Sequence, residues 1–410
     1  MLVGAGGAHG ADATGAGEPL ADREEQGMSM LIRTIEPIPS EAHSRRVAAL
    51  RDDIHVALDR VVDEGRFHKG SQVRALERFV EDSWGGHAVA VSSGTVALQV
   101  ALRAAGVGPG DEVVMPVTTF ASTAFAAASI GAVPVLVDVD PLTRTLDPES
   151  VAAAVTDRTT AIVPVHMHGA PADLPELSVL AASHGIALVE DCAQAHGASI
   201  AGRRVGTFGD FGCFSLWVGK CAGGLADGGL VIARDPSATR RVRRLTDLGR
   251  DPEDRYVHHE LGTRGRMDEL TAAVTLLELD RLDAWRDRRD EIAQHYLSAF
   301  AGLPVGLPQV PVGARHAWYK FAIEVADAEA FIFAAGRRGV VCERVYPTTL
   351  AEQPALTGMP HRATSTPVAD GLTRRLVCIP CYPELTSQEV DRVVEAVRVC
   401  APALDAAALR

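Results

Sequence analysis

One primary amine stands out among the groups that could do covalent chemistry. The 410-residue chain carries 40 basic residues, yet its lysines are Lys69, Lys220 and Lys320 alone, and the rest are arginines. Lys220 sits between an apolar run, Phe214 to Val218, and a Gly-rich turn, where a flexible side chain could face a cleft. An amine there can form a Schiff base with the carbonyl of pyridoxal phosphate, a cofactor whose remaining parts each demand a partner. Asp191 follows the apolar run Ala187 to Val189, and a buried carboxylate is costly to ionise unless a cation such as a protonated pyridine nitrogen faces it. Gln194, three residues on, can donate to the cofactor's phenolate oxygen. Ser93 and Thr95 offer hydroxyls at a helix start, whose free backbone N–H groups suit a phosphate, and Ser215 could join them. Plainer readings stay open: Ser93 as an N-cap without a ligand, and Asp191 as the cap of the segment after it.

These residues need elements to bring them together, and the apolar periodicity supplies them. Helices are expected over 41–58 and 71–84, followed by strand His87 to Val91 and the helix Val96 to Ala105. Strands 112–116, 134–139, 160–165 and 187–189 then alternate with helices 121–130, 148–155 and 174–184. Near-continuous apolar strands in such alternation indicate an α/β fold, a mostly parallel sheet covered by helices on both faces. Ligands in such folds bind outside the carboxyl ends of the strands, so 92–95, 119–120, 166–168 and 191–196, including His196, should converge on one crevice. Strand 230–233 follows the lysine turn, the Arg-rich stretch 240–266 reads as loop and surface, and 268–300 as one long amphipathic helix. From Arg315 a smaller α+β unit is expected, with strands 319–325, 340–343 and 376–379 and helices 328–337 and 387–399. Its long loop 346–366 has no clear period, and Tyr346 there could serve packing or touch a substrate.

Composition sets the outer limits. A chain of 410 residues with 47% apolar and 23% charged residues suits a globular enzyme of two domains. Its net charge of −13 and lack of a basic, aromatic-interleaved run argue against nucleic-acid binding. Seven cysteines, an odd number thinly spread, suit free thiols in a reducing compartment such as the cytoplasm, and the Cys378–Cys381 pair reads as packing rather than as a redox or zinc motif. No metal site is expected. No apolar stretch is long enough for a membrane span, and residues 1–30 read as a disordered extension rather than a signal peptide, with Met28 or Met30 as possible starts.

Taken in order, VSSGTVALQVAL, GDEVVMPVTTFAST, GAVPVLVDVDP, AIVPVHMHGAPAD, VEDCAQAHGA, GDFGCFSLWVGK, DGGLV and RMDELTAAV resemble the DegT/StrS-type sugar aminotransferases of the aspartate-aminotransferase superfamily. The resemblance runs from about Arg51 to Val397. It implies a fold type I enzyme: a seven-stranded, mostly parallel sheet between helices in a large cofactor domain, 41–285, and a smaller C-terminal α+β domain, 286–410. It implies pyridoxal 5'-phosphate on Lys220, with Asp191 and Gln194 at the ring, Gly94, Thr95 and Ser215 at the phosphate and Phe120 stacked on the ring. The implied reaction takes an amino group from glutamate or glutamine to a keto sugar, usually nucleotide-linked, in a homodimer whose active sites are shared. A keto-cyclitol acceptor, a lyase or dehydratase, and a non-catalytic cofactor-binding regulator are the alternatives. Two departures bear on substrate choice: Arg264 stands where the family usually has an Asn reaching the partner's site, and Cys221-Ala-Gly-Gly replaces a common Asn-Leu-Gly.

Overall fold

Strands such as Glu112-Val-Val-Met-Pro116 are apolar on both faces and therefore need helices above and below. The computed structural model, which describes residues 36–408, meets that need in one large sheet. Its strands in chain order are β1 (His87–Val91), β2 (Glu112–Pro116), β3 (Val133–Val137), β4 (Thr159–Ile162), β5 (Ala187–Asp191), β6 (Phe211–Ser215) and β7 (Gly229–Ala233). Across the sheet they run β1-β7-β6-β5-β4-β2-β3, all parallel except β7, which is antiparallel to both its neighbours. The C-terminal ends of β1, β5 and β6 carry Ser93, Asp191 and Ser215 toward one end of the sheet.

Among the described residues the helices begin with α1 (His43–Ala49), α2 (Arg51–Glu64) and α3 (Ser71–Trp84), which precede the sheet. The single helix expected over 41–58 thus breaks at Leu50, whose φ of −104° and ψ of 5° leave the helical range. After β1 comes α4 (Gly94–Ala104), then α5 (Ala121–Ala128), α6 (Pro148–Ala154) and α7 (Leu174–His184), each close to its expected place. Most of the buried aliphatic side chains of α4 and α5 pack with β1, β2, β6 and β7 in one apolar cluster.

The Arg-rich stretch departs from expectation. It opens inside a helix, α8 (Pro236–Thr246), started by the Asp235 carboxylate, which accepts from the Ser237 N–H, and by Pro236 in the first turn. Val242 and Leu245 are buried, while Arg243 pairs with Glu77 at 2.9 Å and Arg244 with Glu260 at 2.6 Å. The long helix α9 (Glu269–Phe300) follows, capped by Asp268.

The C-terminal part contains β8 (Phe321–Glu324), α10 (Ala328–Gly336), α11 (Pro354–Thr357), β9 (Arg362–Ala363), α12 (Pro367–Arg375), β10 (Leu376–Ile379) and α13 (Ser387–Ala408). β8 and β10 pair antiparallel, and around them gathers an apolar cluster that includes Ile38, Ile292, Phe321, Phe331 and Val393. The strand expected over 340–343 is reduced to two isolated bridges, Ile38 to Val340 and Glu343 to Cys378. Within the expected structureless loop, β9 pairs parallel with β3 and makes the large sheet eight-stranded rather than seven. Arg362 holds it there, donating to Glu112 at 3.0 Å and to the Ala154 carbonyl at 2.6 Å. The extension over 1–30 lies outside the described residues.

Candidate active site

Strand β5 shows how neighbouring residues in a pleat take opposite duties. The Glu190 carboxylate accepts from the N–H groups of Gly206, Phe208 and Gly209 and lies 3.2 Å from His166 Nε2, a closed set that anchors the turn before β6. Asp191 points the other way. One of its oxygens accepts from Thr123 Oγ1 at 2.8 Å and the other from the Ala193 N–H at 3.1 Å. It is 4% exposed, and among the described residues no cation stands within ion-pair distance. Burial raises its carboxyl above the ordinary value although two hydrogen bonds and the Lys220 charge pull it down. A buried acid in this state has a use for a cation.

Lys220 faces it from the turn after β6. Burial lowers the amine below the ordinary lysine value, against the pull of Asp191, and Nζ lies 4.9 Å from the centroid of the Tyr319 ring. A lysine so lowered keeps more of its amine neutral and nucleophilic.

The helix start of α4 forms a third corner. Ser93 caps it by accepting from the Val96 N–H, and Thr95 Oγ1 lies 2.7 Å from Ser122 Oγ. At Gly94 a Cβ would meet Ser215 Cβ at 2.8 Å, so glycine lets β6 and the helix start approach. The result is a cradle of N–H groups and small hydroxyls at the positive end of a helix. Gln194 is fixed by both ends of its amide: Oε1 accepts from the His168 N–H at 2.7 Å, and Nε2 donates to the Tyr346 hydroxyl at 3.1 Å. Phe120 and Tyr346 lie with ring centroids 6.0 Å apart, and Phe120 is 58% exposed.

All of these line one cavity of about 400 Å³: Ser93, Gly94, Thr95, Phe120, Asp191, Gln194, Ser215, Lys220 and Tyr346. The segment 166–168, expected in the crevice, is not in its wall: His166 meets Glu190, and the His168 N–H supports Gln194 from behind. Neither His196 nor Arg264 is there. His196 is fully buried beside Phe214, with burial lowering it to about 3, and Arg264 is exposed on the bridge to Asp247. Conversely, Glu41, Tyr319, Lys320 and Glu343 enter the wall without having been singled out for it. Lys320 donates to Glu41 and, at 2.9 Å, to Glu343, while Ser40 donates to the other Glu343 oxygen. Thr123, the support of Asp191, had one faint signal, its spacing of one helical turn from Thr119, which it contacts at 3.0 Å.

The set fits pyridoxal phosphate part by part. An uncompensated buried carboxylate suits the ring nitrogen, the α4 start suits the phosphate, a lowered amine suits the carbonyl, and Phe120 offers an aromatic face.

Comparison with known proteins agrees with this reading. A model of the DegT/DnrJ/EryC1/StrS aminotransferase family matches residues 49–398. The chain is similar to the UDP-N-acetyl-3-dehydro-alpha-D-glucosamine 3-aminotransferase of Acidithiobacillus ferrooxidans, at 39% identity over 86% of this chain and 94% of the relative. It is also similar to the dTDP-3-amino-3,4,6-trideoxy-alpha-D-glucose transaminase of Streptomyces venezuelae, at 39% identity over 87% of this chain and 94% of that one. Among solved structures, the X-ray structure of S. venezuelae DesV superposes with a TM-score of 0.86 at 38% identity, covering 89% of this chain and 99% of that one.

Proposed function

Because this chain belongs to the DegT/DnrJ/EryC1/StrS aminotransferase family, we propose that it moves an amino group from glutamate or glutamine to a keto sugar carried on a nucleotide, in amino-sugar or antibiotic biosynthesis. It is a pyridoxal-phosphate-dependent aminotransferase. When bound, the cofactor's protonated ring accepts the electron pair left when a proton leaves the amino-bearing carbon.

The chain's own groups divide the remaining work. The N–H groups at the start of α4, with Thr95 and Ser215, would bind the phosphate. Asp191 supplies the negative charge that keeps the ring nitrogen protonated, and Thr123 holds that carboxylate in place. Gln194 presents an amide N–H on the cavity side, and Phe120 would offer its face to the ring. Lys220 Nζ is the cofactor's attachment point and, when free, the base that takes up and returns a proton. The one observation that carries the reading is that the lowered amine, the uncompensated acid and the open helix start share one cavity.

The nucleotide-linked substrate rests on the two relatives' names, and both act at a sugar carbon. Residues 41–285 are read as the cofactor-binding domain and 286–410 as the smaller one. A homodimer with shared sites is inferred, in which exposed Arg264 would meet the partner's substrate as an anion contact. A cytoplasmic location is inferred from the seven free cysteines. Among the described residues no helix is long and apolar enough to cross a membrane.

The test begins with cofactor-loaded enzyme and glutamate or glutamine, followed by the absorbance change that marks amino-group uptake. The aminated enzyme is then offered nucleotide-linked keto sugars and free keto-cyclitols, with product read by mass spectrometry. Amination of the nucleotide sugars is expected. Amination of the cyclitols alone would overturn the substrate class, and no uptake from either donor would overturn transamination.

A further inference from the structure

The turn that carries Lys220 is held from behind by two buried charged residues that no part of the reaction calls for. Arg46 on α1 is 5% exposed, and Glu278 on α9 is 2% exposed. Arg46 donates one nitrogen to the Lys220 carbonyl at 2.8 Å and another to the Val218 carbonyl. Glu278 accepts from the Gly223 N–H at 2.8 Å, beyond the lysine, and its carboxylate lies 3.4 Å from Arg46. The turn itself is tight: Lys220 N–H donates to the Trp217 carbonyl at 2.9 Å, and Gly224 N–H to the Leu216 carbonyl at 2.9 Å. A Cβ at Gly219 would lie 1.8 Å from the Trp217 ring, and one at Gly223 would lie 2.3 Å from its carbonyl oxygen. Such a turn has no slack inside and takes its placement from outside.

We propose that Arg46 and Glu278 are positioning residues for Lys220: from two helices remote in sequence they pin the two limbs of its turn and so fix where the amine stands in the cavity. Arg46's planar fork is suited to the task because its two terminal nitrogens, held in one plane, each reach a different carbonyl. Glu278 takes the only donor that the far limb offers to α9 among the described contacts, and it completes the Arg46 charge. The groups facing Glu278 are Arg46, Arg289, Glu384 and the Gly223 N–H; burial raises it to about 7 against the pull of Arg46. Protonation near neutral pH therefore weakens one of the two pins.

The inference rests on Lys220 being the attachment point, and the experiment separates the two. Borohydride trapping and peptide mapping of the wild type come first; label on another lysine sinks the attachment reading itself. The variants Arg46→Met, Arg46→Lys and Glu278→Gln are then loaded with pyridoxal phosphate and compared for thermal midpoint, pH titration of the bound-cofactor absorbance, and kcat and KM for glutamate. Arg46→Met is expected to lower kcat roughly 10- to 100-fold, as small misplacements of a reacting group do, with KM changed less than about threefold. Its absorbance titration is expected to shift by more than about half a pH unit, a shift that loss of stability alone does not produce. Arg46→Lys recovers part of both. If Arg46→Met keeps the wild-type kcat and titration midpoint, whatever its thermal midpoint, the proposal fails. Should Arg46→Met not fold, the isosteric Glu278→Gln decides. By removing the charge that faces Arg46 it is expected to lower kcat in the same direction as Arg46→Met and to flatten the pH–rate profile near 7, and an unchanged kcat overturns the proposal.

Discussion

Lys220 and Lys320 line the same cavity, and their surroundings give them opposite tasks. Burial would lower both. Around Lys320, Glu41 and Glu343 overcome that cost and hold it above the ordinary lysine value, so it stays charged and bound. Among the described residues Lys220 has no ion-pair partner; Asp191 chiefly, with Cys221 and Glu41, pulls it back, and it stays lowered. Lys220→Ala is therefore predicted to abolish the trapped adduct and cost at least the roughly 10²- to 10⁴-fold that a positioned proton-transfer group supplies. Lys320→Ala should leave the label in place and lower the thermal midpoint, because it takes the shared cation from the Glu41 and Glu343 carboxylates. Peptide mapping and a melting curve check the pair. The lowered amine also sets a sign. Its folded pKa lies below its unfolded one, so the unfolded chain binds the extra proton and the cofactor-free enzyme gains stability as pH rises toward 10.5. Asp191, Gln194 and Lys220 were legible because each lies at a strand end or just beyond it, where one short stretch of sequence fixes its direction. Glu41, Tyr319 and Glu343 were not, since their place in the wall depends on contacts that no local pattern encodes. His196 shares its segment with Asp191 and Gln194, but the chain turns between them and sends its ring into the core.

Elements were legible where they bury an apolar face and opaque where polar contacts hold them. Helix α8 hid in its arginines because its buried face is narrow, chiefly Val242 and Leu245, and its signature was the Asp235-Pro236 start. Strand β9 has two residues and is kept by Arg362 on Glu112, a pairing across 250 positions. The approach of α4 to β6 makes a prediction of its own. Gly94→Ala places a methyl 2.8 Å from Ser215 Cβ, backbone-proximal atoms that cannot swing aside. It should push the strand end from the helix start, cost about 1–3 kcal/mol and weaken cofactor binding, read by denaturant melts and cofactor titration. At the outer rim, Arg45 on α1 holds Glu389 on α13 at 2.6 Å, and that hydrogen bond is the main reason Glu389 is lowered to about 2. A carboxyl depressed on folding stabilises above its unfolded value of about 4.5 and loses that help as pH falls toward 2. Arg45→Met should accordingly flatten the stability-versus-pH curve between those limits and leave it unchanged in slope above them.

At the scale of the molecule, the cavity wall draws on the chain from Glu41 to Tyr346, so its occupant touches segments far apart in sequence. Ser93, Gly94 and Thr95 come from the first strand–helix unit, Asp191 and Gln194 from the middle of the sheet, and Tyr319, Lys320 and Glu343 from the C-terminal part. A ligand bound by the folded chain alone stabilises it in proportion to the logarithm of its concentration over Kd, about 2.7 kcal/mol at a hundredfold excess. Pyridoxal phosphate is therefore predicted to raise the melting temperature of the whole molecule, and to do so in two separable amounts. The non-covalent part, from the α4 start and Asp191, should survive in Lys220→Ala and grow with cofactor concentration. The covalent part should vanish there. Asp191→Asn supplies the converse: it removes the charge that faces the ring nitrogen and keeps an acceptor for only one of Thr123 and the Ala193 N–H, so the protein should melt somewhat lower without cofactor and also gain less from it. Scanning calorimetry of the three proteins across a cofactor series reads both amounts. If Lys220→Ala gains as much as the wild type, the amine contributes nothing to holding the cofactor. If Asp191→Asn also gains as much, the buried acid does not face the ring, and the cavity has been fitted to the wrong ligand.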